Sequence, residues 1–499
     1  MKPHRKLPAA FTLIRLQPRE GGKLLSFNHE IPLSGITSDS RAVKPGFLFA
    51  ALTGAKADGR TYIQAALDAG AIAILAPDGT TLPEGARATL ITDPDARRAF
   101  AHLAATFYPA QPATLVAVTG TNGKTSTVQF CEQLWTAIGF PAASVGTLGI
   151  SAPGGLGASG THTTPDPVKL HETLDRLTRH GVNHLAMEAS SHGLDQRRLD
   201  GVRLTAAAFT NLTRDHLDYH QTMEAYAVAK NRLFSEILPE NATAVINADS
   251  PASPHILETC RLRGIRVLTF GKKGLDLRLV HTVPHPAGQH LDIEVFGRPY
   301  SIDVPVAGVF QASNILAALG LILSDETLSP GDVIPKLGQL RGVRGRIELA
   351  ATHPSGAPVY VDYAHTPDAL ETLLNALRPH TSGRLAVVFG CGGDRDRGKR
   401  PMMGEIANRL ADIVLVTDDN PRSENPAPIR QEILAACPGA IEMGDRAEAI
   451  RHAVSLLETG DVLVIAGKGH EQGQIIGNTI RPFDDASEVR AALKEQETP

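Results

Sequence analysis

The chain has 499 residues and 42% apolar content, which at roughly 100–200 residues per domain gives about three domains, each able to bury a core. Lys plus Arg number 49 and Asp plus Glu 53, a net charge of −4, so no basic excess marks a nucleic-acid or anionic-membrane surface and neither partner is expected. Cys131, Cys260, Cys391 and Cys437 lie far apart with no CxxC pair, which argues against a disulfide scaffold or a zinc ribbon and for a reducing compartment.

In chain order, the N-terminal segment starts basic and turns mildly apolar, but Arg15 interrupts it and no small-residue cleavage site follows. No apolar run approaches the roughly 20 residues of a spanning helix, so a cytoplasmic protein without membrane insertion is expected. TSDSRAVKPGFLFAAL is followed by TYIQAALDAGAIAIL, a helix-like stretch with apolar positions recurring at three and four. Residues 94–107 read as a further helix, and Tyr108-Pro109-Ala110-Gln111-Pro112 then breaks the chain. The first domain, a small α/β unit, therefore spans 1–111. From Leu115, LVAVTG reads as a buried strand, followed by a tight loop and the helix-like TVQFCEQLWTAIGF. HLAMEAS, AAAFTNL and TAVINAD are apolar runs ending in polar residues, as parallel strands do at a functional rim. This central unit spans 112–345. PVYVDYA, RLAVVFGCGG, DIVLVTDDN and DVLVIAGKG mark a second doubly wound, Rossmann-like unit over 346–499.

The loop Gly120-Thr121-Asn122-Gly123-Lys124-Thr125 stands between a strand and a helix. Its glycines let backbone N–H groups close on phosphate and the helix N-terminus adds positive charge. Lys124 can reach the β/γ phosphates, and Thr125 or Ser126 can hold magnesium. The longer form of this motif has glycine where Val118 stands, so the loop is a shortened one. Glu188 and His216 lie at the rim, where magnesium would take a carboxylate. His216 and His220 have the spacing of a zinc pair, without the HExxH that would support one. Lys230 in AYAVAKNRLF reads by itself as a solvated helix lysine.

GTNGKT, EASSHGL, DHLDYH, DYAHTPD, GGDRDRGKR, DNPR and GKGHE occur in the order found in Mur ligases, and the chain resembles that family from about residue 35 onward. The resemblance implies three α/β domains: one holding a UDP-sugar, a central P-loop-type ATPase domain and a C-terminal amino-acid domain. It implies an amide ligase that acts through an acyl phosphate, with ATP as co-substrate and two magnesium ions. Thr125, Glu188 and His216 would be magnesium ligands, and Lys230 matches a family lysine carbamylated by carbon dioxide. Asn314 in GVFQASN would contact ATP, although Gln311 replaces the family's usual asparagine, and Arg346 and Asp362 match nucleotide positions of the closing C-terminal domain.

Ser38, Ser40 and the stretch Ala55-Lys56-Ala57 match UDP-contacting positions; Thr163, Thr164, Ser190, Gln196 and Arg198 match those gripping the muramoyl dipeptide. Asp419-Asn420-Pro421-Arg422 matches ligases that add meso-diaminopimelate to UDP-N-acetylmuramoyl-L-alanyl-D-glutamate, and the distal carboxylate of diaminopimelate is one a guanidinium can pair. Arg395, Gly467 and Glu471 match further amino-acid contacts, and a monomer is expected. The alternatives are a lysine- or ornithine-adding ligase, a folylpolyglutamate-type ligase, a noncatalytic nucleotide-binding regulator and a P-loop kinase; TSDSR and DNPR favour the cell-wall enzyme.

Overall fold

Short parallel strands separated by helices follow from the alternation of apolar runs and turn residues, and the computed structural model, which describes residues 31–54, 57–158, 160 and 163–497, arranges them in three α/β domains. In the first, β1 (Gly35–Thr37), β2 (Phe47–Ala50), β3 (Ala73–Pro77) and β4 (Thr89–Asp93) form a parallel sheet in that order. Helices α1 (Ile63–Asp68) and α2 (Ala96–Phe107) accompany it. The helical reading of TYIQAALDAGAIAIL holds only for its first half. Gly70 turns the chain at φ +95, a conformation glycine adopts without penalty, and AIAIL continues into strand β3.

The central domain is laid out as β5 (Thr114–Thr119), α3 (Lys124–Ile138), β6 (Ala142–Gly146), β7 (Gly149–Ser151), α4 (Pro167–Arg179) and β8 (His184–Glu188). It continues through α5 (Ser191–Asp195), β9 (Ala206–Phe209), α6 (Leu217–His220), α7 (Met223–Arg232), β10 (Thr243–Asn247), α8 (Ser253–Leu262) and β11 (Arg266–Gly271). An antiparallel extension, β12 (Leu277–His285), β13 (Gly288–Val295) and β14 (Arg298–Val304), leads into α9 (Gln311–Ile322). The sheet order is β14-β13-β12-β11-β10-β9-β5-β8-β6-β7. β5 pairs in parallel with both β8 and β9, so the carboxyl ends of all three meet at one rim, where the sequence places its chemistry. Val116, Ala117 and Val118 of β5 are fully buried; α3 and α9 cover one face of the sheet and α4 the other.

In the third domain the order is β15 (Glu348–Thr352), β16 (Pro358–Asp362), β20 (Val462–Ala466), β17 (Leu385–Phe389), β18 (Ile413–Val416) and β19 (Ile441–Glu442), parallel except for β15. The hairpin β21 (Gly473–Ile476) and β22 (Thr479–Pro482) follows β20. The buried His380 ring joins this domain to the central one: Nε2 accepts from Gly308 N at 2.9 Å, and Nδ1 lies 2.9 Å from the His285 carbonyl oxygen. Both bonds need the neutral ring, and burial lowers its pKa. Among the described residues no helix is long and apolar enough to cross a membrane.

Candidate active site

The phosphate loop leaves β5 at Gly120 (φ +149) and enters α3 at Gly123 (φ +85). A Cβ at Gly120 would collide with Thr210 Oγ1 and one at Gly123 with Asn314 Oδ1, so both positions need glycine for conformation and for space. Asn211 pins the loop from β9's end: its Oδ1 accepts from Asn122 N at 2.9 Å and its Nδ2 donates to Asn122 O at 3.2 Å. Thr121 Oγ1 donates to Thr213 O at 3.2 Å. Lys124 Nζ arches back over the loop, donating to the carbonyls of Gly120 (2.9 Å) and Thr121 (2.7 Å). Ser126 is buried in the helix's first turn. Asn314 reaches the loop from α9, held by its Nδ2 bond to Gln311 Oε1 at 2.7 Å. Gln311, the residue that departs from the family pattern, therefore orients Asn314.

Beside the loop, buried Glu188 ends β8. Its Oε1 accepts from Thr125 Oγ1 at 3.0 Å and from Thr147 N at 2.7 Å, and its Oε2 from Thr147 Oγ1 at 3.2 Å. A hydroxyl and a carboxylate oxygen facing each other next to a phosphate loop suit magnesium, which takes oxygen ligands and completes its shell with water and phosphate. Among the described residues no group of three His, Cys, Asp or Glu side chains forms a protein-only cage, and magnesium at a triphosphate does not need one. His216 adopts φ +52 with its ring 4.9 Å from that of His192 and 6.1 Å from that of Tyr226. Tyr226 in turn reaches Thr121 Oγ1 with its hydroxyl at 3.2 Å, which sets His216 on the loop's flank. His220, lowered in pKa by burial, packs edge-on to the His192 and Tyr219 rings with an unpartnered Nε2.

Lys230 is not solvated. It is 2% exposed, its Nζ donates to Gly120 O at 2.7 Å and lies 4.4 Å above the Tyr226 ring. Burial drives its pKa well below the usual ammonium range, nearby Lys124 pushes the same way, and Asp215 opposes both.

Between the first and central domains, Ser38, Leu52, Arg97, Phe100, Gln196 and Arg198 line a cavity of about 170 Å³. Arg198 donates to Thr164 O at 2.6 Å and to Gln196 Oε1 at 2.7 Å, and Gln196 Nε2 donates to Tyr219 OH at 3.1 Å. Thr164 Oγ1 links Glu188 O (2.9 Å) to Ser190 N (3.0 Å), while Thr163 meets Thr147 Oγ1 at 3.0 Å. The cavity and the magnesium-type oxygens thus share one scaffold. Ser40 opens the short turn Ser40–Ala42 outside this lining. Ala57 accepts from Gly54 N at 2.9 Å, and Ala55 and Lys56 lie outside the described residues.

In the third domain, Asp362 ends β16 with Oδ2 accepting from Ile347 N and Oδ1 from Ala364 N, both at 2.8 Å. Burial raises its pKa and Arg346 opposes this; the Arg346 guanidinium lies 5.0 Å from the Tyr363 ring. Gly467 N donates to Asp362 O at 3.1 Å. Arg422, at φ +53, donates to Gly393 O at 2.8 Å. The Pro421 carbonyl packs so closely on Gly393 that a Cβ there would collide with it. Asn420 Nδ2 donates to Glu471 Oε2 at 3.1 Å. Asp419, Asn420 and Glu471 thus form one cluster, with Arg422 on the same loop, while Arg395 projects from an exposed segment, its NH1 on Asp394 O at 3.3 Å. Sequence reasoning missed Thr147, Asn211, Tyr219 and Lys468. The polar residues straight after buried strands, TNLT after β9 and GKGHE after β20, were the available signal.

The family model for the "Mur ligase family, catalytic domain" matches residues 32–108, the "Mur ligase middle domain" 118–322 and the "Mur ligase, glutamate ligase domain" 345–469. The protein of Caulobacter vibrioides named "UDP-N-acetylmuramoyl-L-alanyl-D-glutamate--2,6-diaminopimelate ligase" is 54% identical over 467 residues, 93% of this chain and 96% of that one. The chain belongs to the Mur ligase family. A Brucella melitensis relative of the same name is 52% identical over 478 residues, covering 96% of each chain. A solved diaminopimelate ligase structure matches this Mur ligase with TM-score 0.72 at 34% identity, over 94% of this chain and 96% of that one. MurF ligase from Thermotoga maritima in complex with ADP gives TM-score 0.57 at 20% identity, over 92% and 97%, and so shows the fold alone.

Proposed function

We infer that this Mur ligase joins meso-diaminopimelate to the D-glutamyl γ-carboxylate of UDP-N-acetylmuramoyl-L-alanyl-D-glutamate, converting ATP to ADP and phosphate in cytoplasmic peptidoglycan precursor synthesis. The observation that carries this reading is the 54% identity to a ligase of that name over 93% of the chain. The geometry agrees, with a phosphate loop and a rim carboxylate in contact and the Asp419–Glu471 cluster at the carboxyl ends of the third domain's strands.

Residues 1–111 are proposed to hold the UDP part through Ser38 and its neighbours, 112–345 the ATP, and 346–499 the amino acid. The γ-carboxylate oxygen bonds to the γ-phosphorus and the β–γ bridging bond breaks, releasing ADP. The amine nitrogen of the incoming amino acid then bonds to the acyl carbon, the C–O bond to phosphate breaks, and the amine sheds a proton. Lys124 and the loop amides hold the transferring phosphate, and Arg198 faces the dipeptide carboxylates. Asn314, Arg346 and Asp362 hold the nucleotide, and closure of the third domain shields the acyl phosphate from water. Thr125, Glu188, His216 and carbamylated Lys230 are the residues proposed to hold two magnesium ions, which when bound offset the repulsion between a carboxylate and a triphosphate.

The test is phosphate release and product mass with ATP, magnesium and the UDP-dipeptide, offering meso-diaminopimelate, L-lysine and L-ornithine separately. Turnover with diaminopimelate alone is expected. Turnover with lysine would overturn the amino-acid assignment, and none with any of the three would overturn the substrate reading.

A further inference from the structure

The turn after β20 buries a lysine completely. Lys468 has no exposed side-chain surface, yet its Nζ donates to Asn420 Oδ1 at 2.9 Å and stands 3.6 Å from both Asp419 Oδ1 and Glu471 Oε2. A buried ammonium is costly unless paired and hydrogen-bonded. Here its partners are three residues of the cluster proposed to receive the amino acid. Asp419 Oδ1 is buried with no hydrogen bond, and it is compensated through space by Lys468 at 3.6 Å and by the buried Arg446.

A side-chain amide is nearly symmetric in shape, and its orientation is set by the donors and acceptors around it. Asn420 Oδ1 receives two donors, Lys468 Nζ and Ile475 N, the latter at 2.9 Å. That leaves Nδ2 to face Glu471 Oε2 at 3.1 Å. The turn is itself anchored: Glu471 N donates to Lys468 O at 3.0 Å, and the carbonyl two residues before Lys468, Ala466 O, accepts from Arg446 NH2 at 3.0 Å. Arg446 is locked in a fully buried pair with Asp485. Lys468 is therefore a cation on a rigid support, aimed at two carboxylates and the amide between them.

We propose that Lys468 is the positioning residue of the amino-acid site, fixing the Asn420 amide with its N–H face toward Glu471 and neutralising one of two adjacent carboxylates. With two carboxylates and one ammonium, the cluster presents a single net negative charge, suited to a substrate bearing one distal ammonium. This rests on the function proposed above. Without Lys468 the Asn420 Oδ1 keeps only Ile475 N as a donor, which loosens the amide, and Asp419 and Glu471 repel each other without a cation between them.

The test is a double-mutant cycle on the full-length enzyme, with steady-state constants measured for all three substrates. Lys468→Met is expected to raise the KM for diaminopimelate about tenfold or more while KM for ATP stays within about twofold. In an Asn420→Ala background the same change should cost clearly less than in the wild type, because the part of its effect that runs through the amide is already gone and only the charge on Asp419 and Glu471 is left. The KM for diaminopimelate of Lys468→Met should also acquire a pH dependence on the acid side of neutrality that the wild type lacks. Lys468→Gln, which keeps a donor but not the charge, should restore most of the affinity and retain that pH dependence, and serves if the methionine variant does not fold. Additive effects in the cycle, or equal rises in KM for all substrates, would overturn the proposal. If the wild type turns over L-lysine instead, the diaminopimelate reading fails, and the same cycle run with L-lysine still decides the role of Lys468.

Discussion

Replacing Gly123 by alanine tests the phosphate loop and Asn314 together. At φ +85 an L-residue pays about 1–2 kcal/mol for the left-handed conformation. The new methyl also collides with Asn314 Oδ1 and would stand 3.2 Å from its Cγ, so the amide must swing aside and give up its 2.7 Å bond to Gln311, about 1 kcal/mol more. The two costs have separate readouts. The backbone strain is present with or without nucleotide and should lower the melting temperature by several degrees, at roughly 2–4 °C per kcal/mol for a domain of this size. With Asn314 at the nucleotide as proposed, displacing its amide should raise KM for ATP about five- to tenfold. Thermal melting and coupled phosphate release at saturating UDP-dipeptide and amino acid measure both. In an Asn314→Ala background, Gly123→Ala should still lower the melting temperature but leave KM for ATP unchanged. A KM for ATP within twofold of wild type in the single variant would refute the placement of Asn314 at the nucleotide.

Lys124→Ala should reduce kcat by about 10²–10³ or more, because the phosphates lose a fixed cation, and near-normal turnover would sink the phosphate-loop assignment. Arg422→Ala should raise KM for diaminopimelate far more than KM for ATP; equal effects would reject the distal-carboxylate role. His171 on α4 is fully buried with neither ring nitrogen partnered, and burial lowers its pKa to about 3. The unfolded chain takes up its proton near pH 6.5 and the folded one does not, so stability is full above that pH and falls by up to about 1.4 kcal/mol per pH unit down to about pH 3. His171→Leu should therefore flatten the decline in denaturation midpoint between pH 7 and 5, and an unchanged slope would show that the ring is protonated in the fold.

Much of the site was legible because the signals were local. LVAVTG could only be a buried strand, and the glycines of GTNGKT announced the two positions where a side chain cannot fit. What the sequence hid was set by tertiary contact. The apolar periodicity of TYIQAALDAGAIAIL carries a helical reading across Gly70, where the chain in fact turns into β3. Residues 277–304 form three antiparallel strands at the sheet edge, and Pro284, Pro286 and several histidines mask their alternation. Nothing in the sequence singles out Lys468 between its two glycines; only the fold brings Asn420 and Glu471 to it. Lys230 looked like a surface lysine on an amphipathic helix until α7 packed against the phosphate loop.

That packing gives Lys124 and Lys230 one acceptor in common, the Gly120 carbonyl, at 2.9 and 2.7 Å. Two ammonium groups converging on one oxygen repel, and burial lowers the pKa of both. Burial lowers Lys230 strongly and the charge of Lys124 pushes it the same way, which favours the neutral amine at Lys230. A neutral amine is what carbamate formation requires: Nζ bonds to the carbon of CO₂ and one proton leaves, converting an amine into an anionic oxygen ligand beside Glu188's rim. The repulsion between the lysines would then become attraction, with Lys124 keeping its charge for phosphate. Turnover should therefore fall in CO₂-depleted buffer and recover with bicarbonate, and ¹³C-bicarbonate should label the wild type but not Lys230→Arg. Full activity without CO₂, together with no label, would show that Lys230 serves as an amine and that the loop's second cation has another role.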